Sequence, residues 1–346
     1  MTDAMTDDLR PRRSVLYMPA ANERALEKAK AIAADAIIFD LEDAVAPDAK
    51  VDARAKAVAA VQSGEYGNRE LTIRCNGLDT EWGSDDIAAA GAASPSAVVI
   101  PKVDRVEQVD AVSAGLDAAG APADTKIWPM IETPTAMFNV RSIAAHPRVA
   151  VLVMGTNDLA KELRSPIVAG RHPLVTHLAT ALLAAREAGK VILDGVYNDV
   201  RNPEGFAQEC VQGAEMGFDG KTIIHPSQVE PCNEAYSPSE EEIEYSRRVI
   251  EAFVIGVPST VSPSASTSSS SKPTTSINET DSFGVETSPG EIEPNTSSES
   301  GRETNTKSAS SSLSAASIAN WSMASSRTPT APANRRSHSS AADSGG

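Results

Sequence analysis

Residues 126–159 read KIWPMIETPTAMFNVRSIAAHPRVAVLVMGTNDL, and this stretch decides the fold. Lys126–Glu132 and Val149–Gly155 are short apolar runs of strand length, and Thr135–Ala145 between them carries a helical pattern. A strand, a helix and a second strand in so few residues form a parallel βαβ unit, because parallel neighbours need a crossover. The first run ends on a carboxylate, Glu132, and the second is followed three residues on by another, Asp158.

The same alternation continues in both directions. Upstream strands are expected at Ser14–Met18, Ala36–Leu41, Leu71–Asn76 and Ala97–Lys102, and downstream ones at Val191–Gly195 and Asp219–His225. Helical patterns fall at Glu23–Ala33, Lys50–Val61, Val106–Ala119, Pro173–Ala188 and Pro203–Met216. Eight strands, most followed by a helix, predict an α/β fold of the (β/α)8 TIM barrel type over residues 12–253. An open doubly wound sheet is the alternative. It is disfavoured because no GxGxxG follows the first strand or occurs elsewhere.

Outside that stretch the composition changes. Residues 1–11 read as a flexible N-terminus. From Pro258 to Gly346, 38 of 89 residues are Ser or Thr. Residues 254–346 therefore read as a disordered low-complexity tail, unable to bury enough apolar surface to offset its ordering entropy. The switch is abrupt and falls within an otherwise regular helix end. It reads as a natural replacement of the C-terminus or as a lost reading frame near Val254, and the abruptness favours the second.

The chain has 346 residues, 41% hydrophobic and 4% aromatic, with net charge −16. Residues 1–257 hold 39 acidic and 25 basic groups, a surface that repels phosphate backbones and argues against nucleic-acid partners. No apolar run approaches the roughly 18–20 residues of a membrane helix. Met1–Arg13 lacks the apolar core of a secretory signal, so a cytoplasmic location is expected. Cys75, Cys210 and Cys232 are odd in number and far apart, which predicts neither disulfides nor a CxxC metal site.

In a barrel, catalytic groups come from the C-terminal strand ends and the loops just beyond. The exits supply Tyr17, Pro19 and Asn22, then Asp40, Glu42 and Asp43, then Arg74 and Asn76, then Pro101 and Lys102. Glu132, Asp158, Asp194 and finally Lys221 and His225 follow. Glu132 and Asp158 end neighbouring strands, and two carboxylates with open positions suit Mg2+, with Mn2+ as a substitute. Zinc is disfavoured because His146, His172, His177 and His225 do not cluster at ligand spacing. Single acids at such ends often only cap helices or pair with lysines, but four beside one arginine point to a site. Arg74 offers a fork for a carboxylate or a charged thioester oxygen. Its structural alternative is an ion pair with Asp43 or Glu132. His225, before Pro226, reads as orienting the rim, and Cys75 as packing on the opposite face from Arg74.

These exits form a pattern. RRSVLYMP at 12–19, DLEDAVAP at 40–47, IRCNGLDT at 73–80, IPKV at 100–103, IET at 131–133, GTNDL at 155–159 and GKTIIHPSQV at 220–229 stand in order. Residues 12–253 resemble the citrate lyase β-subunit and malyl-CoA lyase family (HpcH/HpaI aldolase-type barrels), including its malyl-CoA thioesterase branch. The resemblance implies a homo-oligomer, trimer or hexamer, that binds Mg2+ through Glu132 and Asp158 and takes a small CoA thioester. It implies that Arg74 contacts the acyl group and that Glu42 and Asp43 hold waters of the metal. Tyr17 and Lys28 stand where the family contacts coenzyme A, and Asn157 beside Asp158 joins the substrate-binding set. Asn22 replaces an arginine found in some members.

The activity expected first is carbon–carbon cleavage of malyl-CoA, methylmalyl-CoA or citramalyl-CoA to an acyl-CoA and a 2-oxo acid. Hydrolysis of (3S)-malyl-CoA to malate and CoA is the runner-up. A citrate lyase β-subunit and a non-catalytic barrel without its lid remain further alternatives. The lyases of this family carry a proton-transfer aspartate on a C-terminal lid, and Asp281 and Asp343 lie in no matching context.

Overall fold

The computed structural model describes residues 10–256. Eight parallel strands close into a barrel in chain order. They are β1 (Ser14–Pro19), β2 (Ala36–Asp40), β3 (Glu70–Arg74), β4 (Ala97–Ile100), β5 (Lys126–Ile131), β6 (Val151–Met154), β7 (Val191–Asp194) and β8 (Gly220–Ile223). The helices are α1 (Glu23–Ala29), α2 (Lys50–Gln62), α3 (Gly83–Ala93), α4 (Val106–Ala118), α5 (Pro134–Ala144), α6 (Thr156–Glu162), α7 (His172–Glu187), α8 (Pro203–Met216) and α9 (Val229–Ala235). A further helix, α10 (Glu240–Gly256), belongs to a second unit and opens on Glu240, Glu241 and Glu242. The expectations for residues 1–9 and 257–346 lie outside the described residues. Among the described residues no helix is long and apolar enough to cross a membrane.

Strand alternation divides the core in two. Val15, Ala36, Ile38, Ala97, Val99, Trp128, Met130, Val151, Val153 and Leu193 fill the barrel. Leu16, Ile37, Phe39, Ile73, Val98, Ile127, Leu152 and Ile192 face outward into the layer shared with the helices. β-branched and small residues suit this interior, where layers of side chains must interlock without room for water. The seam closes where β8 meets β1, with Ser14 opposite Lys221 and Leu16 opposite Ile223. Gly220 permits that closure, because a Cβ there would run into the Arg12 carbonyl oxygen. The N-terminal end is plugged by Arg12, whose Nε and Nη2 donate to Glu70 at 2.6 and 2.9 Å. Its guanidinium also lies 5.7 Å from the centre of the Trp128 ring.

All eight expected strands form, most ending one to two residues early because the polar exit residues turn into loops. α3 has no counterpart in the sequence reading. Its Gly- and Ala-rich segment offers only Ile87 as a large apolar residue, so no amphipathic stripe announces it. The helix is held by close approach to α4. A Cβ on Gly91 would come within 2.6 Å of that of Ala119, and one on Gly115 within 2.9 Å of the Ile87 side chain.

Candidate active site at the C-terminal rim

The rim site begins with Asp40, the last residue of β2. Its carboxylate accepts the backbone N–H groups of Glu42 (2.9 Å) and Ala44 (3.2 Å), which curls the following loop back over the barrel. Lys50, buried at the start of α2, fixes the same loop from outside. Its Nζ donates to the carbonyls of Leu41 and Glu42 at 2.9 Å each and to Asn76 Oδ1 at 2.7 Å. Asn76 in turn donates to Asp86 of α3 at 2.6 Å, and Asp86 accepts from Arg54 Nε at 2.6 Å. The loop carrying Glu42 is thus tied to α2 and α3 by a chain of buried polar groups, each with a partner.

Arg74 ends β3 beside Asp40. Nε and Nη2 donate to the two Asp40 oxygens, both at 2.6 Å, a planar fork that fixes the guanidinium. Nη1 reaches Glu42 Oε2 at 2.8 Å and lies 4.0 Å from Asp43. The Tyr17 ring supports the guanidinium from below at 4.8 Å. The Tyr17 hydroxyl donates to Met130 Sδ at 3.8 Å. Of the ion-pair partners expected for Arg74, Asp43 stands at 4.0 Å, but the bidentate partner is Asp40, two residues before Glu42. Strand register decides this, since Asp40 and Arg74 stand opposite each other in the β2–β3 pairing.

Glu132 follows β5 and is 4% exposed. Its Oε1 accepts the backbone N–H of Lys102 at 2.7 Å, while Oε2 accepts no hydrogen bond among the described residues. Gly155, at the end of β6, leaves room for that carboxylate, which a Cβ would strike. Asp158 projects from the first turn of α6 and is partly exposed. Lys102 joins the three acids: its Nζ lies 3.7 Å from Asp158 Oδ2 and 3.9 Å from Glu42 Oε1.

The electrostatics follow from this crowding. Burial pushes Glu132 up to about 8, reinforced by the neighbouring charges of Glu42 and Asp158. Burial likewise lifts Glu42 to about 7 against the pull of Arg74. Two hard oxygen donors that repel one another, one of them with a free oxygen, fit a divalent cation such as Mg2+. Among the described residues no group of three or more acid, cysteine or histidine side chains is arranged to hold a metal, so water and substrate would complete the coordination.

The other expected residues lie elsewhere. Lys28 is exposed in the last turn of α1, and no hydrogen bond or ion pair joins it to the cluster. Asn22 caps α1, its Oδ1 accepting from Ala25 N–H at 3.1 Å. Asn157 exchanges amide hydrogen bonds with Asn198 across the β6 and β7 exits, at 3.1 and 2.7 Å. Asp194 points away from the barrel interior. It is buried between Arg171 (2.6 Å) and Lys221 (2.9 Å) in the layer below α7 and α8, so it belongs to no rim site. His225 caps the following turn by accepting from Ser227 N–H at 3.2 Å. Cys75 is buried on the outer face of the barrel. Lys50 and Met130 were not singled out by sequence reasoning, and Asp40 was read as an exit residue without its pairing to Arg74.

Comparisons with known proteins agree with this geometry. Residues 13–226 match the family described as HpcH/HpaI aldolase/citrate lyase. A (3S)-malyl-CoA thioesterase of Cereibacter sphaeroides (strain ATCC 17025) is 50% identical over 249 residues, 72% of this chain and 85% of that protein. The citrate lyase subunit beta of Escherichia coli (strain K12) is 36% identical over 253 residues, 70% of this chain and 82% of that protein. Among solved structures, the protein CitE from Mycobacterium tuberculosis in complex with magnesium, acetoacetate and coenzyme A superposes with a TM-score of 0.60 at 28% identity, covering 72% of this chain and 90% of that one. With a closed eight-stranded barrel, seven ordered motifs at its exits and these likenesses over most of the described chain, the protein belongs to the HpcH/HpaI aldolase/citrate lyase family.

Proposed function

We propose that the chain binds Mg2+ through Glu132 and Asp158 and hydrolyses a malyl-CoA-type thioester to the free 2-hydroxy acid and CoA. The observation that carries this is the convergence of the β2, β3, β4, β5 and β6 exits on one rim, where acids, an arginine fork and a near-neutral carboxyl meet. Support for hydrolysis over the carbon–carbon cleavage expected first comes from 50% identity to a (3S)-malyl-CoA thioesterase.

Bound at Glu132 and Asp158, Mg2+ supplies Lewis-acid charge for the hydroxyl and carboxylate end of the substrate. The remaining work falls to the chain's own groups. Asp40 holds the Nε–Nη2 edge of the Arg74 guanidinium, and Nη1, which also pairs with Glu42, has a second N–H to donate to the thioester carbonyl oxygen, whose negative charge grows as water attacks. Glu42 Oε2 is tied to Arg74, and its Oε1 lies 3.9 Å from the Lys102 ammonium. With its carboxyl pushed up to about 7, Glu42 accepts at Oε1 the proton of the attacking water. A carbon–oxygen bond forms, the carbon–sulfur bond breaks, and the CoA thiolate leaves with the proton held by Glu42.

Carbon–carbon cleavage of the same substrate is the second reading, favoured by 36% identity to a citrate lyase subunit beta. There Arg74 would face the enolate oxygen of the acyl-CoA product. Incubating the purified chain with Mg2+ and malyl-CoA separates the two. Free malate and CoA are expected. Glyoxylate and acetyl-CoA would replace the first reading by the second, and release of neither pair would refute both.

A further inference from the structure

Lys102 stands apart from the other rim residues in its backbone. Its φ is +50°, a left-handed conformation that a lysine adopts only at a cost and that only three other non-glycine residues share among those described. The surroundings hold it there. Its N–H donates to Glu132 Oε1 at 2.7 Å, and its carbonyl accepts from Gln108 Nε2 at 3.2 Å. Gln108 Oε1 in turn accepts the N–H groups of Asp104 (2.7 Å) and Arg105 (3.0 Å), closing the turn between β4 and α4. Strain kept by four dedicated hydrogen bonds at the mouth of a site points to a placed side chain.

The turn points the ammonium across the rim, 3.7 Å from Asp158 and 3.9 Å from Glu42. Both distances are too long for good hydrogen bonds but short enough for charge neutralisation. The side chain is 56% exposed and free to swing, whereas Arg74, with side-chain exposure of 9%, is locked by Asp40. The other cations near these acids are already engaged: Arg74 is held by Asp40, and Lys50, which lies near Glu42 and Asp43, is held by the Leu41 and Glu42 carbonyls and Asn76.

From this we infer that Lys102 is the resident counter-ion of the metal-free carboxylate cluster and competes with the divalent cation for it. This rests on the metal site proposed above. A divalent ion arriving between Glu132 and Asp158 repels the ammonium, which swings outward on its flexible stem while its backbone N–H keeps Glu132 in place. Lys102 is thus a positioning residue with two separable parts: the main chain orients one metal donor, and the side chain sets how readily the metal enters.

The test is titration of the full-length protein with MgCl2 alone, by isothermal calorimetry, for wild type, Lys102→Met, Lys102→Arg and Glu132→Ala. Lys102→Met keeps the backbone cost and the stem but removes the charge, so it is expected to bind Mg2+ on the order of tenfold more tightly, a figure moderated by solvent screening. Lys102→Arg is expected to stay close to wild type. Thermal melts in EDTA provide a second reading: Lys102→Met melts below wild type without metal and gains more from added Mg2+. Equal or weaker Mg2+ binding by a folded Lys102→Met overturns the inference. Equal binding by wild type and Glu132→Ala instead sinks the metal site itself, so the two failures are distinguishable.

Discussion

Arg74 commits Nε and Nη2 to Asp40 and keeps one edge for chemistry. A lysine in its place carries the charge but not the fork. Arg74→Lys is therefore expected to lower kcat on the order of a hundredfold while Mg2+ binding persists, as measured by turnover beside calorimetry. Arg74→Met goes further and strands the buried Asp40 carboxylate, at a cost of about 3–5 kcal/mol in denaturant unfolding. Gly155 makes a contrasting case, since it contributes only an absence. Gly155→Ala puts a methyl against the Glu132 carboxylate and should weaken Mg2+ binding, with loss of about 1–3 kcal/mol of stability. Unchanged metal affinity in that variant would mean that Glu132 has another place to go. At this scale the sequence was informative about charge and poor about pairing. Asp40, Glu42 and Asp43 all stood at one exit, but only the β2–β3 register shows which of them faces Arg74.

At the scale of elements, strands were readable because each is a bounded apolar run, and α3 was not because it packs by close approach of small residues. Which face an exit residue takes was also hidden. A one-residue shift in where a strand ends sends its last side chain inward or outward, and Asp194 shows the consequence. Burial alone would raise its carboxyl, but Lys221 and Arg171 outweigh burial and hold it below its ordinary value. A carboxylate with a depressed value stabilises the fold above its ordinary value of 3.8 and loses that contribution as pH falls through the lower folded value. Acid unfolding should therefore steepen below pH 3.8, an effect absent in Asp194→Asn. Lys221→Met leaves Asp194 and Glu209 short of a cation and should cost roughly 3–5 kcal/mol, while turnover per folded molecule is retained. A drop in kcat without loss of stability would tie this outer cluster to the rim after all.

For the molecule as a whole, the sign of the pH dependence is reversed at the rim. Glu42 and Glu132 are raised from 4.5 to about 7 and about 8, so their ionised forms oppose folding when no metal is bound. Metal-free stability should decline from pH 4.5 toward about 8 and level off beyond, and added Mg2+ should raise the Tm by more at each step. Melts in EDTA and in Mg2+ between pH 5 and 9 check this, with Glu132→Gln expected to lose the upper part of the decline. A flat metal-free profile would show that the two carboxyls are better solvated than their burial suggests.

Closure of the barrel has a consequence for how the chain is made. β1 leaves the ribosome long before β8, its partner on one side, which ends at Ile223. Until that strand emerges, the nascent protein carries an incomplete curved sheet with two bare edges, a template for pairing with other chains. The contact that seals it joins the two ends of the fold, so it comes late and slowly. Gly220, which lets the last strand slide against the Arg12 carbonyl, is then a determinant of yield during synthesis as much as of the finished enzyme.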